Sequence, residues 1–200
     1  MDDFFKSVTD AIAQLNQYLP ISAGFIVLLF LIHIVNWMVG YRLNILGIWP
    51  RKKWGWIGIP FSPFLHGNFG HLIVNSVPLF IFSNLILLQG LTNYLIVSAI
   101  IILLSGFLIW LFGRRGIHIG ASALIMGYLG YITIGIYYKP SPLSFIVGIV
   151  AVFYFSSMFT NLLPSNDKRI SWEGHLFGFI AGVSAVYLLP YVILLLPHSY

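Results

Sequence analysis

Polar positions interrupt this chain only at wide intervals, and between them run apolar stretches near the ~20 residues a bilayer core requires. Six such runs stand out: about Ile21–Val39, Gly70–Leu88, Tyr94–Leu111, Ala121–Tyr137, Leu143–Leu162 and His175–Leu196. Turn formers and charges separate them, among them Gln89-Gly90, Gly113-Arg114-Arg115-Gly116, Lys139-Pro140-Ser141-Pro142 and the stretch Pro164–Arg169. Backbone groups in lipid must be satisfied within their own segment. Runs of this length are therefore helices unless they close as a barrel, and they lack a barrel's alternation. The pattern predicts an all-α, polytopic membrane protein of six transmembrane helices.

Two segments fall outside the six runs. In residues 1–20, Phe4, Phe5, Val8, Ile12 and Leu15 recur at roughly helical intervals, which predicts a short amphipathic helix at the interface. Asp2 and Asp3 open it and no basic start precedes an apolar core, so it is not read as a cleavable leader. Residues 21–200 then form the membrane domain. The connection Tyr41–Leu65 mixes Trp49, Trp54 and Trp56 with glycines, prolines and four cations, which suits a loop lying at headgroup level.

Composition agrees with the pattern. Of 200 residues, 59% are hydrophobic and 8% charged, where a soluble domain carries about 25% charged residues. The mean hydropathy is +0.93. Cysteine is absent, which removes disulfides, thiolate metal sites and cysteine nucleophiles. The net charge of +5 does not indicate nucleic acid, because the cations sit in short loops between apolar spans. Anionic lipid headgroups are the partner those loops suit. Arg42, Arg51, Lys52, Lys53, Arg114, Arg115, Lys168 and Arg169 fall on one side of the membrane, against Lys6 and Lys139 on the other. The positive-inside rule would make the crowded side cytoplasmic.

Polar residues within spanning helices are costly, so each is a functional candidate. They gather at one depth. The second span carries His71 and Asn75 near its start, with His66 just ahead; the fourth starts at Ser122 and the sixth at His175. These three spans run in the same direction, and at ~1.5 Å per residue all five side chains fall within roughly 10 Å of one face. Gly174, Gly178 and Gly182 form a small-residue stripe that admits a neighbouring backbone, which serves a serine–histidine contact or plain packing equally. Ser122, in Gly120-Ala121-Ser122-Ala123, sits where free N–H groups and the positive helix end can hold an oxyanion; an N-cap is the bland reading. His71 and Asn75, at i and i+4, share a face as further oxyanion donors or as interhelical hydrogen bonders. A metal on His66, His71 and His175 is disfavoured by their spacing. His33 and Asn36 read as interhelical hydrogen bonders, His118 as a second base or a solvated loop residue. Glu173 reads as an interfacial acid pairing with Lys168 or Arg169, since at i, i+2 it faces away from His175.

The ordered set resembles one family. His66-Gly67-Asn68-Phe69-Gly70-His71-Leu72-Ile73-Val74-Asn75 resembles the H-x4-H-x3-N second helix of rhomboids. Gly120-Ala121-Ser122-Ala123 looks like their nucleophile site, and Gly174-His175-Leu176-Phe177-Gly178 with Gly182 is similar to their H-x2-G-x3-G sixth helix. The resemblance covers about Phe61 to Leu189. It implies a rhomboid-like six-helix bundle with a half-inserted first loop, in a multi-pass protein of the bacterial inner membrane. It implies an intramembrane serine endopeptidase that cuts transmembrane segments of other proteins and needs no metal or organic cofactor. Ser122 would be the nucleophile and His175 the base, with no acidic third member. The Ser122 N–H, His71 and Asn75 would form the oxyanion hole, and His66 would order water. The sequence departs from the family at Ala123, where glycine is common, and at Met126, where an aromatic commonly stacks on the base; a thioether can still pack on an imidazole edge. The family places the first, third and fifth loops outside, against the charge count, and the expectation here follows the family. The competing functions are an inactive rhomboid-like binder of transmembrane segments and a small transporter.

Overall fold

A computed structural model describes residues 2–138, 149 and 171–195. The expected fifth span, Lys139 and the pair Lys168 and Arg169 lie outside the described residues. Within them the chain is helical: α1 (Asp2–Met38), α2 (Phe69–Leu87), α3 (Leu91–Phe112), α4 (Ser122–Tyr138) and α5 (Trp172–Leu195). Apart from the start of α1, their ends fall within one turn of the apolar runs, α5 being the sixth of those runs. No strand occurs among the described residues; the only bridge there pairs Ile48 with His118. Four helices are long and apolar enough to cross a membrane, and α4 is a shorter apolar helix. The chain is an integral membrane protein.

The amphipathic segment and the first span are one helix. α1 runs through Pro20 without a break. Its apolar part, Val8–Met38, is about 46 Å long at 1.5 Å per residue, well beyond the ~30 Å hydrocarbon core. Part of it must therefore tilt or project from the lipid. At its other end Asn36 turns the chain: its amide donates to Asn44 Oδ1 (2.8 Å) and its carbonyl oxygen accepts from the Leu43 N–H (3.0 Å). Among the described residues Asn36 thus ties α1 to the loop after it, and not to another helix as expected.

That loop is built from three 3-10 turns, Arg42–Leu46, Gly55–Gly58 and Ser62–Phe64. It docks on α3. Ile59 lies against Gly106, the Arg51 N–H donates to the Trp110 carbonyl (2.9 Å), and the Trp110 indole donates to the Lys52 carbonyl (3.0 Å). The Arg51 guanidinium reaches the Gly113 carbonyl at 2.8 Å, filling an acceptor that the end of α3 leaves open. Trp54 and Trp56 are exposed, and the Lys52 ammonium lies 5.1 Å from the Trp49 ring centroid.

The core is centred on α4. Leu124, Ile125, Met126, Tyr128 and Leu129 are buried there, against Leu72, Leu79 and Phe82 of α2, Val97 and Ile101 of α3, and Ala181 and Ala185 of α5. The other helices keep apolar outer faces: Val27, Leu31, Val74, Leu95, Leu103 and Leu194 are all more than half exposed. Water would not tolerate so much apolar surface, but lipid does. α4 and α5 meet backbone to backbone. Gly178 faces the Ala123 carbonyl, Gly182 the Gly127 carbonyl and Gly130 the Phe179 carbonyl, and none has room for a Cβ. Small residues at these levels are what permits the approach.

Candidate active site

Ser122 is the first residue of α4, so its N–H is among the helix donors with no intrahelical acceptor. The residue two places before it, Gly120, adopts φ +116°, a backbone that side chains rarely tolerate. The same glycine is crowded. A Cβ on it would lie 2.7 Å from His71 Cε1, 3.0 Å from His71 Nε2 and 3.6 Å from Asn75 Nδ2. Its N–H donates to the Ser62 carbonyl at 2.9 Å, tying the turn to the first loop. Two side chains of α2 thus lie against the turn that leads into Ser122. Both come from the first two turns of α2, whose start is fixed by Asn68: its side chain accepts the His71 N–H at 2.8 Å.

Asn75 is 5% exposed, and its Nδ2 meets no hydrogen-bond acceptor among the described residues. An amide donor buried without a partner costs about 1–3 kcal/mol. A group that brings an acceptor to it recovers that energy. His66 is wholly buried with its ring 5.2 Å from that of His71, and His33 of α1 lies 6.4 Å beyond. His33 makes ring contacts, the nearest edge-on to Phe69 at 4.4 Å, in place of the expected interhelical hydrogen bond.

His175 lies in the first turn of α5 and is partly exposed. The glycine contacts set its level. Gly178, three residues on, touches Ala123, the neighbour of Ser122. A small pocket lined by Ser122, Ala123, Gly120, Ser62, His118, Ser171 and Gly174, with isoleucine walls, opens between the starts of α4 and α5. It has room for a water molecule. Of the expected glycine stripe, Gly178 and Gly182 make the interhelical contact. Gly174 does not: a Cβ there would meet Ser171 Oγ at 3.1 Å, within its own turn. Met126 is 1% exposed and belongs to the main core, one turn below Ser122.

His118 is not a solvated loop residue. Its Nε2 is 2.9 Å from the Arg114 carbonyl and its Nδ1 is 2.8 Å from Ser171 Oγ. Burial pushes this imidazole below its usual range, against the pull of the Arg114 carbonyl and the Glu173 carboxylate; the Arg114 and Arg51 charges add to the lowering. Both ring nitrogens are engaged, so neither is free to take a proton from Ser122. Glu173 pairs with Arg114, Nε to Oε1 at 2.6 Å; the cations expected for it, Lys168 and Arg169, lie outside the described residues. Arg114 and Glu173 lie far apart in sequence, which no local pattern reveals. Ser171 does carry a sequence signal, since a serine just before an apolar run is an N-cap candidate: its Oγ accepts the Gly174 N–H at 3.4 Å. Ser62 had no sequence signal, since its role is a backbone carbonyl.

The Rhomboid domain profile covers residues 52–192. An uncharacterized protein of Mycobacterium tuberculosis is 36% identical over 173 residues, 82% of this chain and 72% of that one. An uncharacterized protein of Mycobacterium leprae is 33% identical over 174 residues, 82% of this chain and 68% of its own. The profile spans α2 through most of α5, the helices that carry His71, Asn75, Ser122 and His175, and with this extent of similarity the chain belongs to the rhomboid family.

Proposed function

We propose that the protein is an intramembrane serine endopeptidase that cleaves transmembrane segments of other membrane proteins, in the inner membrane of a bacterium. Ser122 is the nucleophile and His175 its general base. The observation that carries this reading is the register of α4 against α5. The Gly178–Ala123 contact brings the turn bearing His175 to the level of Ser122, beside a pocket both helix starts line. His118 lies on the same pocket, but its two nitrogens are already used, which supports His175 as the base.

The chemistry follows from these roles. Ser122 Oγ attacks the scissile carbonyl carbon while His175 accepts the hydroxyl proton. Negative charge gathers on the substrate oxygen. The Ser122 N–H, the Asn75 amide and the His71 ring are the donors that stabilise it, and the unpartnered Asn75 Nδ2 gains its acceptor only then. His175 passes its proton to the leaving amine. Water then attacks the acyl ester, His175 taking its proton, and Ser122 is released. The starts of three helices at one depth support a water-requiring step near a membrane face.

The reading is tested with a transmembrane substrate in liposomes, comparing wild type with Ser122→Ala and His175→Ala. Wild type cleaves and both variants lose at least ~10³-fold in kcat. Equal cleavage by all three removes the assignment. Binding of the substrate without cleavage by wild type points to an inactive binder, and solute flux through the same liposomes to a transporter.

A further inference from the structure

Glycine packing fixes how closely α4 and α5 approach at Gly178 and Gly182, but it stops below His175, because Gly174 touches no backbone of α4. Something else must hold the first turn of α5, and two links from the 113–121 loop do so. In the first, the Arg114 carbonyl only accepts, so His118 Nε2 carries the proton and Nδ1 is the acceptor. The Ser171 hydroxyl therefore donates to Nδ1, and its oxygen accepts the Gly174 N–H. One directional chain of hydrogen bonds thus runs from α5 to the loop. In the second, the Glu173 carboxylate, 3% exposed, is paired with the Arg114 guanidinium. The loop itself is held from its other flank: His118 and Ile48 exchange both backbone hydrogen bonds, at 3.0 and 2.9 Å, and Arg51 holds the Gly113 carbonyl.

We propose that Arg114 and His118 are positioning residues that, through Glu173 and Ser171, set the placement of His175 against Ser122. This rests on the reading of those two as base and nucleophile. The side chains of Arg114 and Glu173 take no part in the chemical steps. Their effect is on how often the imidazole meets the hydroxyl, so it falls on turnover and not on substrate binding.

The experiment combines a double-mutant cycle with a readout independent of catalysis. Cleavage of a transmembrane substrate is measured for wild type, Arg114→Gln, Glu173→Gln and the double variant, with active sites titrated by a fluorophosphonate. Each single change lowers kcat per titrated site about tenfold with KM little altered, and the double variant loses no more than either single, because all three break the same link. His118→Gln, which keeps a donor and an acceptor, retains more activity than His118→Leu. The chain has no cysteine, so a Ser122→Cys/His175→Cys pair is unique, and a short bifunctional thiosulfonate reports how the two turns sit. Its cross-linking yield falls in each single background and falls no further in the double. Variants that change only the melting temperature or the titratable fraction, with kcat per site and cross-linking as in wild type, overturn the proposal. If cross-linking responds but wild type does not cleave, the positioning stands and the dyad falls.

Discussion

Gly120 joins backbone to chemistry at the scale of a single residue. Its φ of +116° favours glycine, and its α-carbon faces the ring of His71. Gly120→Ala strains the turn and pushes His71 away, so kcat should fall about tenfold or more, read as cleavage per titrated site. Asn75→Ala tests the amide donor. Removing one oxyanion donor typically costs ~10²–10³-fold in kcat, and KM should change little, because the acceptor forms only on attack. His118 supplies a pH test. Burial holds its imidazole below the ordinary 6.5, so the folded state binds fewer protons there than the unfolded chain. The contribution is full above about pH 6.5 and is lost as pH falls through the folded pKa. The melting temperature in detergent should therefore drop from pH 7 to pH 5, and His118→Gln should flatten that slope. An unchanged slope in the variant would show that His118 is not held neutral.

At the scale of elements, the α4–α5 contact decides where the site is. Gly182→Val places a side chain against the Gly127 backbone, and overpacking of this kind costs about 1–3 kcal/mol or more. Gly135→Ala meets nothing within 4 Å and should be neutral or slightly stabilising, through helix propensity. Reversible unfolding in mixed micelles distinguishes the two, and equal losses would contradict the packing described. The helices themselves were legible, because a bilayer leaves apolar runs that only a helix can satisfy. So were Gly178 and Gly182, whose spacing matches a helix face. The fusion of residues 1–20 with the first span was not: the pattern turns from amphipathic to fully apolar near Pro20, and nothing local says whether the helix stops there. The engagement of His118 and the Arg114–Glu173 pair were equally hidden. Each depends on a loop meeting a helix start more than fifty residues away, where a local reading favours solvent or the nearest cation.

At the scale of the molecule, charge and architecture pull in different directions. The six described cations of the crowded side lie in the first loop and in the loop before Ser122, and some of that charge has work inside the fold: Arg51 holds carbonyls at the end of α3, and Arg114 pairs with Glu173. We propose that this face is the outer one, as in the arrangement the family implies, with exposed Lys53 and the tryptophans of the first loop at lipid headgroups. In intact spheroplasts a membrane-impermeant maleimide should label Lys53→Cys and spare Lys6→Cys. The opposite pattern would turn the site toward the cytoplasm.

The central claim is that an alcohol on one helix is activated by an imidazole on another. Covalent labelling tests it without knowledge of a substrate. A fluorophosphonate is applied to the protein in liposomes and the adduct is mapped by mass spectrometry. A single adduct on Ser122 is expected, absent in Ser122→Ala and formed at least ~10²-fold more slowly in His175→Ala. An adduct that persists in Ser122→Ala, or that forms at the wild-type rate without His175, would contradict it.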